Sequence, residues 1–279
     1  MNCVVTRRTV LRVAAASPFA SLLAQKKSVP IGLELYSVRN ELKADLPGTV
    51  RAVAKMGYQV VEFFSPYFEW TPDDAKKIRA LLDELGIRCL STHNDAKSFT
   101  AENLPRAIEL NQIIGSRNVI MASAGRVAGL DGWKTVAETL NNGAHALKPH
   151  GMRSGFHNHL TEFKPLDGKM PMEILAANTE KDVTLQLDVG TCLEAGVDPV
   201  AWINQNPDRI RSMHCKDWSP ELGYKAIFGQ GIGKWNAIFD AAEKIGGIEY
   251  YLIEQEGSAY TPLETAEKCL AAFRKVRPA

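Results

Sequence analysis

Several absences narrow the reading of this chain of 279 residues. No stretch of about 18 consecutive apolar residues occurs, so no stable membrane span is expected. Its 33 basic and 32 acidic residues nearly cancel, and both signs are spread along the chain. That excludes the basic stripe of a nucleic-acid binder. Histidine is scarce, with six residues, too few for a richly multinuclear metal cluster. The cysteines have no CxxC spacing, which argues against a thiolate zinc site and a thioredoxin-type redox pair. Cys3 lies at the N-terminus, and Cys89, Cys192, Cys215 and Cys269 read as free, mostly buried thiols. The turn after the first β-like run, Tyr36-Ser37-Val38-Arg39, lacks the glycines of a dinucleotide-binding sheet.

What is present begins with an N-terminal segment unlike the rest. Thr6-Arg7-Arg8-Thr9-Val10-Leu11-Arg12 precedes the small, weakly apolar stretch from Val13 to Ala24. A charged region, an apolar region and a small residue in that order predict a twin-arginine export signal over residues 1–24, and hence a periplasmic protein. Its removal takes away Arg7, Arg8 and Arg12 and no acid, leaving a slightly negative mature chain.

From residue 29 to 279, β-like runs alternate with helical patterns. The strand-like runs are Ile31–Tyr36, Val60–Phe64, Ile87–His93, Asn118–Ala122, Arg153–His159, Thr184–Val189, Arg209–Lys216 and Glu249–Glu256. Helical patterns follow each, among them Pro72–Leu85, where Thr71 is an N-cap, Pro72 takes the first helical position and Gly86 stops the helix. Eight such units with no composition break predict a single (β/α)8 TIM barrel with its active site at the C-terminal ends of the strands. An open doubly wound sheet is the alternative architecture.

The ends of the last four runs carry metal-ligand chemistry: Phe156-His157-Asn158-His159, Leu187-Asp188-Val189, Met213-His214-Cys215-Lys216-Asp217 and Ile253-Glu254-Gln255-Glu256. Residues two apart on a strand share a face, which pairs His157 with His159, His214 with Lys216 and Glu254 with Glu256. Unpaired charge under the helices is costly, so these groups belong at the barrel mouth. Glu62, His93, Glu34 and Tyr36 fit the same rim. So many carboxylates in one place call for a divalent cation, held by an imidazole from strand five, Asp188, His214 and Glu254. Mixed nitrogen and oxygen donors suit Mn²⁺, Zn²⁺, Co²⁺ or Fe²⁺. Glu254, Glu256 and Lys216 are the candidates for proton transfer. The glycine-bearing run Gly229-Gln230-Gly231-Ile232-Gly233-Lys234-Trp235 reads either as a cradle of backbone amides for a substrate or anion, or as a plain connector.

These segments, together with Gly32-Leu33-Glu34-Leu35-Tyr36-Ser37-Val38-Arg39, resemble the sugar phosphate isomerase/epimerase family of the xylose isomerase-like TIM barrel superfamily. The resemblance implies one divalent metal on Asp188, His214, Glu254 and a strand-five ligand. In the family that ligand is a glutamate; here His157 aligns best, and His159 is the other choice. The resemblance implies a carbohydrate substrate; from their positions Tyr36, Glu62, His93, His159 and Trp218 are expected to line it, the charge distribution predicts no nucleic-acid partner, and a homo-oligomer is an open alternative to a monomer. The activity it implies is metal-dependent isomerisation or epimerisation of a sugar or keto-sugar, by proton abstraction next to a polarised carbonyl. The alternative is a lyase or dehydratase acting on a 3-keto sugar, keto-glycoside or keto-inositol, because histidine at strand five removes one of the family's two proton-carrying carboxylates. A sugar-binding barrel without catalysis is a third reading, and a DNA-repair nuclease the least favoured. Glu34 where glutamine is usual, and Lys234 where an aspartate often precedes the tryptophan, are further departures.

Overall fold

The structure, a computed structural model, describes residues 29–277. The expected export segment, residues 1–24, lies outside the described residues. Eight parallel strands close into a barrel in sequence order: β1 (Ile31–Glu34), β2 (Val60–Phe63), β3 (Arg88–Asp95), β4 (Asn118–Ser123), β5 (Arg153–His157), β6 (Thr184–Asp188), β7 (Ser212–His214) and β8 (Tyr250–Ile253). Closure is made by β1 pairing with β8, Gly32 opposite Leu252. The expected TIM barrel is therefore the observed fold.

Helices cover the outside, and their ends follow local chemistry. The helix Pro72–Leu85 starts at the reciprocal Thr71–Asp74 capping box and ends at Gly86, whose φ of 64° needs the freedom of glycine. The helix Pro262–Val276 starts the same way, with Thr261 and Glu264. Between the helices and the strands lies the main apolar core, which includes Leu33, Val61, Val119, Phe156, Leu185, Leu187, Met213, Tyr251 and Ile253. Cys89, Cys192, Cys215 and Cys269 are free and buried, as expected. No described helix is long and apolar enough to cross a membrane.

Six of the eight strands are shorter than the sequence runs, while β3 and β4 extend past them. β1 stops at Glu34, β5 at His157, β7 at His214 and β8 at Ile253. The chain leaves the sheet there because a one-turn 3₁₀ helix takes over at Leu35–Val38 and irregular backbone follows His157, His214 and Ile253. Tyr36, His159, Lys216 and Glu256 consequently sit on the connections above the barrel, not in the strands.

Alternation along the strands gives the barrel lumen two kinds of filling. At the lower end Val60, Tyr250 and Leu252, with Leu90 against them, form a separate apolar cluster. Glycine at two inward positions makes room for it. A Cβ on Gly32 would come within 2.8 Å of the Leu252 side chain, and one on Gly155 within 2.5 Å of Ile120 Cδ1. One step further up, the inward residues become Glu34, Glu62, His93, His157, Gln186 and His214, all buried.

Candidate metal centre

His214, at the end of β7, is the hub of that upper layer. Its Nδ1 lies 2.8 Å from Glu254 Oε2 and its Nε2 lies 2.8 Å from Glu62 Oε2. Burial opposes charge on this ring, yet the hydrogen bonds to the two carboxylates win and raise its pKa to about 10. The reciprocal effect acts on Glu62: burial opposes its ionisation, but His93 and His214 lower its pKa to about 2. Glu254 is likewise held well below the usual carboxylate range, by Lys216 and His214 against its burial.

His157 and Asp188 complete a four-residue group with His214 and Glu254. One donor atom from each lies within 4.8 Å of the others, and all four residues are buried. His157 Nε2 stands 3.9 Å from Asp188 Oδ2. Burial, reinforced by the positive His214 ring, keeps the His157 pKa well below its ordinary value, so this imidazole is a neutral donor at pH 7. Asp188 is fixed by its surroundings on one side only. Its Oδ1 accepts from Thr191 N at 2.9 Å, while Asn158 Oδ1 accepts from the Asp188 backbone amide at 3.0 Å. Its Oδ2 is buried with no hydrogen-bond partner. The Lys216 ammonium, 3.6 Å away, is the cation nearest to it. Two imidazoles and two carboxylates with their donor atoms this close fit a divalent cation of the Mn²⁺, Fe²⁺, Co²⁺ or Zn²⁺ type.

Gln186, not singled out in the sequence, holds the layer together. Its Oε1 lies 2.6 Å from His93 Nε2 and 3.0 Å from His157 Nδ1, and its Nε2 donates to Glu62 Oε1 and Ser212 Oγ at 3.0 Å each. With Nδ1 engaged by Gln186, His157 presents Nε2 to the metal group, the kind of outer contact that orients a ligating histidine. The signal was available: Gln186 lies two residues before Asp188 on one strand, so both face the lumen.

Lys216 and Glu256 meet above this group. Lys216 Nζ donates to Glu256 Oε1, lies 3.6 Å from Asp188 Oδ2 and 3.9 Å from Glu254 Oε2, and stands 4.6 Å over the Tyr224 ring. Burial alone would discharge the amine, but Glu254, Asp188 and Glu256 hold its pKa above the ordinary lysine value. The lysine is therefore a cation and a proton donor in this state, not a free base. The Lys216 side chain is 3% exposed and that of Glu256 42%, which places Glu256 at the solvent-facing edge.

The remaining predicted residues are placed differently. His93 belongs to the buried layer, its ring stacked parallel to His214 at 5.1 Å. His159 is exposed on the connection after β5, with its ring edge-on to His157 at 5.0 Å. Of the two strand-five histidines, His157 is the one in the four-donor group. Tyr36 is 37% exposed and packs against Phe64 and the Arg39 guanidinium. Trp218 is half-buried in the loop after β7.

That loop is not an open cradle. The buried Asp217 carboxylate accepts from the amides of Trp218 (3.0 Å), Gly229 (2.9 Å), Gly231 (3.1 Å) and Gly233 (3.2 Å), and from Trp235 Nε1 (2.9 Å). A Cβ on Gly231 would fall 2.1 Å from Asp217 Oδ1, so the glycine is needed for close approach to this internal anion. Of the two readings of the glycine-bearing run, the amide-cradle geometry is real, and its occupant is a side chain of the same chain.

Comparison with known proteins agrees with this architecture. A rhizopine catabolism protein, MocC, of Rhizobium meliloti is 25% identical over 199 residues, covering 63% of this chain and 59% of that protein. An inosose dehydratase of Clostridium beijerinckii is 27% identical over 85 residues, covering 30% of this chain and 28% of that protein. The chain thus matches less than two thirds of the length of either curated relative. The crystal structure of a sugar phosphate isomerase/epimerase from Parabacteroides distasonis is similar with a TM-score of 0.75 at 27% identity, covering 94% of this chain and 99% of that one. The model of the xylose isomerase-like TIM barrel matches residues 50–276, and the chain belongs to that family.

Proposed function

We propose that the chain is a divalent-metal-dependent isomerase of an unphosphorylated sugar or keto-sugar, moving a proton between carbons at and next to a carbonyl. The observation that carries this reading is that His157, Asp188, His214 and Glu254 bring one donor atom each within 4.8 Å of one another, next to the Lys216–Glu256 pair. A bound cation would polarise the substrate's carbonyl and neighbouring hydroxyl oxygens and so acidify the adjacent C–H. Because ligating nitrogens must be unprotonated, loading the site displaces the proton that His214 shares with its two carboxylates, and metal affinity rises with pH.

The proton work falls to the groups above the metal site. Glu256, at the open edge, takes the proton from the carbon next to the carbonyl and returns it to the former carbonyl carbon. Lys216 donates a proton to the carbonyl oxygen and recovers one from the neighbouring hydroxyl, which balances the exchange. Glu254 is the other carboxylate in reach, but it serves as a ligand. Both mobile groups come from the connections after β7 and β8, so transfer on one face of the substrate is favoured over inversion, which needs a second group opposite. His159 and Trp218 border the entrance, while Glu62 and His93 act from beneath the site. The loop amides that would suit a phosphate are occupied by Asp217, which supports an unphosphorylated substrate.

Elimination is the second reading. An ammonium beside the acid/base carboxylate can protonate a departing hydroxyl or glycosidic oxygen, and similarity to an inosose dehydratase points the same way. Metal analysis followed by incubation with free ketoses, 3-keto sugars and keto-inositols in deuterated water separates the two. Deuterium in a rearranged sugar supports isomerisation; an unsaturated or cleaved product supports the lyase; a protein that binds no metal overturns both. Export is proposed from the sequence alone: Arg7→Lys with Arg8→Lys should leave a folded, unprocessed protein in the cytoplasm, and normal arrival in the periplasm would refute it.

A further inference from the structure

The four-donor group accounts for one edge of the His214 ring. The other edge faces a second set of donors: Glu34, Glu62 and His93, which with His214 place one donor atom each within 4.8 Å of one another, all buried. Glu62 Oε2 is 2.8 Å from His214 Nε2 and 3.1 Å from His93 Nε2. Glu34 points into this set with Oε1 held by Tyr36 N at 3.2 Å and Oε2 fully buried without a hydrogen-bond partner. Two carboxylates side by side in the barrel interior need either a cation between them or a proton on one of them.

Building on the mononuclear site above, we propose that Glu34, Glu62 and His93 hold a second divalent cation, making the barrel mouth a dinuclear centre on either side of the His214 ring. An oxygen-rich set with one imidazole suits Mn²⁺ or Zn²⁺. The competing arrangement is a single proton shared between Glu34 and Glu62.

The two differ in stoichiometry, with no substrate needed. Chelator-treated mature protein is titrated with Mn²⁺, excess ion is removed, and bound metal is counted by elemental mass spectrometry. The expected result is two ions per chain, with the electron paramagnetic resonance spectrum of an exchange-coupled Mn²⁺ pair. Glu34→Gln and His93→Asn should each lower the count to one and restore the spectrum of an isolated ion. Glutamine matches a protonated glutamate in shape and still donates to Glu62, so a shared proton predicts one ion in the wild type and no change in the variant. That outcome overturns the second site and leaves the proposed function standing. No bound ion at all overturns both. Should a variant fail to fold, the wild-type count and spectrum decide.

Discussion

The two ends of the barrel lumen are built by the same strands and differ in almost everything else. At the lower end, Val60, Tyr250 and Leu252 close on one another, with Gly32 and Gly155 leaving room for Leu252 and Ile120. One strand step higher, each neighbour becomes a donor: Glu62 above Val60, His157 above Gly155, and Glu254 above Leu252. A period of two residues therefore separates stability from chemistry on one element. The apolar cluster lies beneath the polar layer, whose side chains are buried. Hydrogen bonds buried in this way operate in a low dielectric, where they are stronger and where any missing partner is more costly.

Substitutions at the two levels should have separable effects. At the upper level Asp188→Ala removes one of the two carboxylates of the four-donor group, and should abolish both metal retention and turnover while the far-ultraviolet circular dichroism of the barrel persists. A variant that keeps full metal content would refute the assignment. Glu256→Gln and Lys216→Met leave the four donors intact. Each should retain metal and slow turnover by about 10²- to 10⁴-fold, the range for loss of a general acid or base. Near-full turnover in both would shift the proton work to Glu254. At the lower level Leu252→Ala opens a cavity in the apolar cluster and should cost about 2–5 kcal/mol in chemical denaturation, with metal content per folded chain unchanged. A loss of metal in that variant would mean that the two levels are not independent. Gln186→Leu is the finest test, since it removes the contacts to His157 and His93 but no ligand. Metal affinity should weaken by about 10- to 100-fold, measured by competition with a chromogenic chelator, and an unchanged affinity would show that the rings orient without it.

Much of this was legible in the sequence, and the failures share a cause. Alternating runs and helix signals at Thr71, Pro72 and Gly86 gave the barrel, and the expected ligands Asp188, His214 and Glu254, chosen by strand-end position, residue type and family resemblance, lie close together in it. The error lay in extending strands through their last polar residues. Two-residue alternation holds only while the backbone stays extended, and β1, β5, β7 and β8 each stop at or before the first polar residue of the pair. His159 therefore turns out to solvent instead of sharing the face of His157, and Glu256 reaches the rim through a connection. Lys216 still meets Glu256, for a reason no local pattern contains: Asp188, Glu254 and Glu256 converge on it from two other strand ends. Gln186 escaped notice because an amide is neither a ligand nor a base, although its position announced an inward side chain.

The knot around Asp217 has a consequence for how the loop breathes. Gly229 and its neighbour Gln230 are exposed, and a glycine-bearing surface loop would ordinarily exchange its amide hydrogens with solvent within the fast, locally opening class. Here the amides of Gly229, Gly231 and Gly233 all end on one buried carboxylate. Opening any one of them takes a donor away from that charge in the interior. The three glycines should accordingly exchange as a cooperative unit, protected far beyond their exposure, and deuterium uptake should spread through all of them together when the carboxylate is replaced by an alanine methyl.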